Sequence, residues 1–267
     1  MGLDIYSGTL TRYYSRNWKT SVQQWGEKYG MEVNIIRPPE QNVEIAPAEE
    51  ILEGVTNWRD GLIAALSENL SGKPLWKEDI DTTPYYTDKP DWDALEALML
   101  YTACKALSEP VPETVVKNFD VYKQPIYSSF MEKKANPISL FDSDGWWLPI
   151  NDSFMFKGYL PTGDERRIAT VGMLKRELEQ INSWEWQADE ETIVNWSSTE
   201  GYPTDALYGK GKIERIAEHL EYNTVSLAKF AFSILWQAVK HSEQYGTMII
   251  YDLGDCKSRN NNVLEKK

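Results

Sequence analysis

Leu3 and Ile5 alternate with Asp4 and Tyr6 at the start of the chain, the two-residue period of a strand with one apolar face, so a strand is predicted over residues 2–7. The period then lengthens. From residue 15 to 29, Trp18, Val22, Trp25 and Tyr29 fall on one helical stripe, with Gly30 beyond it as a stop signal. Residues 32–36 have the pattern of a second strand, closed by Pro38 and Pro39. Pro47 opens the next helix, with Glu49 and Glu50 at the positive end of its dipole and Ile51, Leu52, Val55, Trp58, Leu62 and Leu66 as its apolar stripe. Gly54 and Gly61 each cost such a helix up to about 1 kcal/mol relative to alanine, which marks them as points where another element packs closely.

Asp91 is placed to cap a helix bearing Leu95, Leu98 and Met99 on one face and Ala97, Leu100, Tyr101 and Cys104 on a second, a pattern for burial on more than one side. Cys104 is then an inert packing thiol. Residues 108–165 are punctuated by prolines and read as an irregular, β-containing insertion with short strands near 121–127, 146–150 and 154–159. Order returns at Thr170, a cap for a helix with Val171, Leu174, Leu178 and Ile181 on one stripe. A short helix is predicted after Asp189 and another over 212–220, where Ile213, Ile216, Ala217 and Leu220 recur at helical spacing. The clearest helix spans 224–245, apolar around most of its circumference, and Gly246 ends it. Residues 247–253 follow as a continuous apolar strand of the kind buried on both faces.

A strand, helix and strand at one end and a helix and strand at the other predict an α/β or α+β fold: a single mixed sheet formed partly by the terminal strands and covered by several helices. One domain over 1–255 is expected, followed by a polar tail at 256–267. Forty-one acidic residues against 28 basic ones give a net charge of −13 over 267 residues, a field that repels nucleic acid and suits a basic protein partner. Two cysteines, outside any CxxC pair or His/Cys cluster, leave no structural zinc site and no disulfide framework, and fit a reducing cytoplasm. No apolar run is long enough to span a bilayer, so no membrane association is expected. Neither a cofactor nor a metal is called for by any motif.

Met1-Gly2-Leu3-Asp4-Ile5-Tyr6, continuing through Ser7-Gly8-Thr9-Leu10-Thr11-Arg12-Tyr13-Tyr14, together with Tyr85-Tyr86-Thr87-Asp88-Lys89-Pro90-Asp91-Trp92-Asp93, resembles a family of uncharacterised bacterial proteins of similar length. That resemblance implies no activity and assigns no residue a role.

Eleven tryptophans and fifteen tyrosines supply large apolar bodies with a polar tip, suited to core edges and to binding clefts. They concentrate with acids in one segment. Tyr85, Tyr86, Asp88, Asp91, Trp92 and Asp93 surround Lys89 at a helix start, a mixture that grips a polar ligand by ring faces and hydrogen bonds. The same residues also make a structural unit in which Asp91 caps, Trp92 staples and Asp88 closes a turn before Pro90. Asp4 and Asp252, with Asp255 beyond, converge if the terminal strands are neighbours in the right sense, and paired carboxylates do acid/base work or hold a cation. His219 and His241 both fall in helical patterns, and no nucleophile elbow or HExxH motif accompanies them. Gly209-Lys210-Gly211-Lys212 reads as a turn before a helix. The function expected is a non-enzymatic binding or interaction protein with an acidic, aromatic-rich surface; the alternative is a small-molecule enzyme such as a hydrolase with a cleft near 85–93.

Overall fold

The computed structural model describes residues 2–31, 45–204, 206–209, 212–215 and 219–252. A mixed six-stranded sheet runs in the order β2 (Tyr86–Asp88), β1 (Asp4–Gly8), β10 (Met248–Asp252), β4 (Trp146–Leu148), β6 (Glu165–Thr170) and β5 (Met155–Tyr159). All pairings are antiparallel except that of β4 with β6. The terminal strands are therefore neighbours inside the sheet, and the fold is α+β. Two short ladders stand apart from it, β3 (Thr114–Val116) with β9 (Glu221–Asn223) and β7 (Ala206–Gly209) with β8 (Lys212–Arg215).

Strand periodicity sorts side chains into two layers. Ile5, Trp147, Ala169 and Ile249 face one core, built with α4 (Asp91–Ala106), α7 (Val171–Trp184), α8 (Glu190–Thr199) and α9 (Thr224–Tyr245). The short helices α5 (Pro125–Lys133) and α6 (Ser139–Asp142) close its margin through Phe130, Leu140 and Phe141. Tyr6, Trp146, Leu148, Ile168, Met248 and Ile250 face the other core, with α1 (Leu10–Tyr14) and α3 (Ala48–Ala65) over them. Met248, Ile249 and Ile250 have no exposed surface, because β10 has a layer on each side.

Helix α9 keeps its sequence-derived bounds, and Gly246 ends it for two reasons. Its φ of +66° lies in the left-handed region, and a Cβ there would meet the Leu75 carbonyl at 2.6 Å. Thr170 caps α7 by accepting from Met173 N, and Asp189 caps α8 by accepting from Thr192 N.

Four expectations change. The helix expected over 15–29 is reduced to α2 (Ser21–Lys28), because α1 has already ended at Tyr14 and Thr20 starts a new capping box with Gln23. Its stripe is open rather than buried, with Val22, Trp25 and Tyr29 at 42%, 41% and 59% exposure. Gly54 and Gly61 face open space, so no close packing explains them. Residues 121–133 form a 3₁₀ turn and α5 instead of a strand, since Asp120 accepts from Tyr122 N and Pro125 sits at the first helical position. Residues 212–215 pair as β8 with β7, since a sequence with β-branched Ile213 and a glycine at 209 suits a hairpin as well as a helix. The strand expected at 32–36 lies outside the described residues, as do Lys210, Gly211, Asp255 and Cys256. Within 108–165, β4 and β5 join the main sheet. Among the described residues no helix is long and apolar enough to cross a membrane.

Candidate functional site

Strand alternation divides the segment 85–93 between the two faces of the sheet. Ser7 stands opposite Tyr86 and Ile5 opposite Asp88, so these two side chains point to the α9 layer, while Thr87 opposes Tyr6 and shares its face. The Tyr86 hydroxyl lies 3.4 Å from both Asp88 Oδ2 and the Ile234 carbonyl of α9. Burial raises the pKa of Tyr86 and of Asp88. Trp92 packs against the core on this side. Asp93 accepts from Asn118 N at 3.2 Å. Asp91 is not the cap: Pro90 holds the N-cap position without a side-chain bond, and the Asp91 carboxylate pairs with Lys89 at 3.0 Å. The capping is done by Tyr202, whose hydroxyl accepts from Ala94 N and donates to the Pro90 carbonyl, both at 3.1 Å. Tyr85, like Thr87, belongs to the opposite layer.

Asp4 and Asp252 do converge. They are direct partners in the β1/β10 register, and Lys89, Asp91 and Asp88 all act on Asp4, so the terminal aspartates and the 85–93 segment are one charged cluster at the end of the central strands. Asp252 Oδ1 accepts from the Tyr13 hydroxyl at 3.0 Å. Burial pushes Asp4 up to about 6, against the pull of Lys89 and with the help of Asp252. Chemically the pair can keep one proton close to neutrality. Among the described residues no group of three or more His, Cys, Asp or Glu is arranged to hold a metal ion.

A serine and a histidine also meet, unannounced by any motif. Ser7 Oγ lies 3.1 Å from His241 Nδ1 and 3.2 Å from Thr247 Oγ1, tying β1 to the end of α9. Ser7 has no exposed surface, and burial alone lowers His241 to about 4, so the contact is a neutral hydrogen-bond network between sheet and helix. His219 lies in coil rather than in a helix.

The arrangement open to a ligand is built on the other face, from α1 outward. Glu78 caps α1, accepting from Leu10 N, Thr11 N and the Thr11 hydroxyl within 3.2 Å, and also from Trp76 Nε1 at 3.0 Å. Arg12, 6% exposed, is anchored by the Thr83 and Asp81 carbonyls and lies 5.1 Å over the ring of Tyr85. The rings of Tyr6, Tyr13, Trp18 and Tyr85 cluster beside it, with Trp18 4.8 Å and Tyr85 6.0 Å from Tyr6. Lys19 N and Gln24 Nε2 donate to the Tyr85 hydroxyl, joining the start of α2 to this wall. Between them lies a cleft of about 530 Å³, edged by Arg16, Lys19, Glu27 and Asp81.

Lys19 and Glu27 neutralise each other at 2.5 Å. Exposed Arg16 makes no ion pair among the described residues and has a φ of +55°. Its amide donates to the Tyr13 carbonyl and that of Asn17 to the Arg12 carbonyl, a left-handed stop of the kind glycine usually provides. Of the six sequence-derived site residues only Tyr85 reaches this cleft. Arg16, Trp18 and Lys19 were missed because they fell inside a predicted helix; the run of polar residues from Ser15 to Asn17 was the available sign of a break.

No family model matches the chain, and neither a curated protein nor a solved structure does.

Proposed function

We propose that the chain is a non-catalytic binding protein that takes a flat, anionic ligand in the cleft between Trp18 and Tyr85. The observation that supports this most is Arg16, a cation with no ion pair among the described residues, beside two aromatic walls and at a backbone position where glycine would be cheaper. Ring faces hold a planar body and the guanidinium holds a carboxylate or phosphate. A net charge of −13 suits a basic partner at long range, but that field is screened within about 8 Å at physiological ionic strength, so the groups edging the cleft decide its occupant. The proposed ligand thus replaces the basic protein suggested by net charge. The same overall charge disfavours nucleic acid, and the buried free thiol of Cys104 suits a reducing, cytoplasmic setting. The enzymatic alternative loses support because Ser7 is sealed and the 85–93 acids are committed to structure.

Phenyl phosphate is a suitable probe, with phenol as its uncharged control. Calorimetric titration should detect phenyl phosphate and not phenol, and Arg16→Gly should abolish that binding while leaving the melting temperature unchanged or raised. Equal binding by Arg16→Gly, or equal binding of phenol, would overturn the reading.

A further inference from the structure

In the layer on the other face of the sheet from that cleft's ring cluster, a pocket of about 390 Å³ opens between the end of α5, residues 134–138 and α7. Its floor is apolar, with Phe130 buried and Leu107, Ile138 and Met173 packed around the same core. Its edge is cationic, carrying Lys133, Lys134 and Arg176. The acidic residue lining it is Glu177, and that carboxylate is committed to the start of α6, accepting from Ser139 N at 2.5 Å, the Ser139 hydroxyl at 2.7 Å and Leu140 N at 3.1 Å. Lys134 is likewise spent on Asp142. Lys133 and Arg176 form no ion pair among the described residues. Asp152, whose charge Arg176 feels, is held by Ser71 N at 3.0 Å and lines a different cavity.

Some cations of this acidic chain are matched to carboxylates, as in Lys89 with Asp91, Lys105 with Glu185, Lys175 with Glu243 and Lys240 with Glu190. Lys133 and Arg176 have no such match among the described residues, and both edge one apolar floor. An apolar ligand would leave both charges without a partner, and a small hydrophilic anion would leave the floor wet. A molecule with both parts satisfies each.

We propose that this pocket binds a small amphiphilic anion, its carboxylate or phosphate head held by Lys133 and Arg176 and its short hydrocarbon body lying on Phe130, Met173 and Leu107. The volume is in the range of small-molecule sites. Guanidinium and ammonium groups form charge-assisted hydrogen bonds to either head group.

Calorimetric titrations with octanoate, octyl phosphate and octyltrimethylammonium, each below its aggregation threshold, test this. One or both anions should bind with one-to-one stoichiometry and the cation should not; whichever anion binds more tightly identifies the head group. Lys133→Gln combined with Arg176→Gln should weaken that anion roughly tenfold or more at unchanged melting temperature, since both side chains are exposed. Arg176→Lys should retain part of the affinity. Arg16→Gly should leave octanoate binding intact, which separates this pocket from the aromatic cleft. The proposal is overturned if neither anion binds, if the cationic amphiphile binds as tightly, if the double variant binds like the parent, or if Arg16→Gly removes octanoate binding.

Discussion

Arg16 and Gly246 end their helices with the same backbone geometry and opposite chemistry. At Gly246 the left-handed φ of +66° comes with a carbonyl 2.6 Å from where a Cβ would stand, so the position excludes side chains twice over. Arg16, at +55°, is exposed, and its side chain is tolerated at a conformational cost of about 1 kcal/mol. The two substitutions should therefore move stability in opposite directions. Arg16→Gly is expected to stabilise or leave unchanged, by 0 to about 1 kcal/mol, and Gly246→Ala to destabilise by more than about 1 kcal/mol. Urea denaturation of both variants checks this; a clear loss of stability in Arg16→Gly would mean that the arginine is held by packing and not kept for a ligand. Asp91 is a third left-handed residue, with φ +59°, of a type that adopts this conformation more readily than most. Its replacement by alanine should cost about 1 kcal/mol through strain and the loss of a half-exposed pair with Lys89, whereas cap removal is no longer the mechanism.

Helices were legible in the sequence wherever one local signal and one packing stripe agreed. Thr170 before Val171, Leu174, Leu178 and Ile181, and Gly246 after the continuous apolar surface of α9, are cases in point. Of the three-residue strands, β4 was legible within 146–150, but β2, β3 and β9 were not. β2 lies in a stretch whose tyrosines and acids looked like a ligand grip, and its pairing with β1 is a tertiary fact that turns alternate side chains to opposite layers. The segment is divided between two layers for that reason, with Tyr85 at the aromatic cleft and Tyr86 against α9. Asp4 and Asp252 were legible as a pair only conditionally, since their meeting depends on the antiparallel sense and register of the terminal strands. At this scale β10 is expected to be indispensable. It bridges β1 and β4, and its Met248, Ile249 and Ile250 belong to both cores. Truncation after Gly246 should abolish cooperative unfolding, as followed by circular dichroism on heating; a truncated chain with a sharp transition would show that the two layers close without it.

Among the partly buried groups with shifted titrations, Glu177, Asp4 and His241 set an opposing pH dependence. Burial raises Glu177 to about 7, outweighing the hydrogen bonds from Ser139 and Leu140, and raises Asp4 to about 6. In both cases the native state binds a proton more tightly than the unfolded chain, so the stabilisation is complete below the unfolded values near 4 and is lost as pH rises through 6 to 7. His241 has the opposite sign. Lowered to about 4 from an unfolded value of 6.5, it takes up a proton in the unfolded chain first, and stability present above pH 6.5 is lost as pH falls toward 4. Between pH 8 and 6.5 the acids act alone, and stability should rise on acidification. Below 6.5 the histidine offsets them, which places the maximum on the acid side of neutrality. With solvent screening at these partly exposed sites, each group contributes of order 1 kcal/mol, or about 2–4 °C in melting temperature for a chain of this size. Glu177→Gln and Asp4→Asn should each flatten the rise between pH 8 and 6, and His241→Gln should flatten the fall between 6.5 and 4. Melting curves at half-unit pH intervals distinguish them. If stability falls steadily from pH 8 to 6 in the parent protein, Glu177 and Asp4 are ionised in the fold, and the Asp4–Asp252 pair does not keep a proton near neutrality.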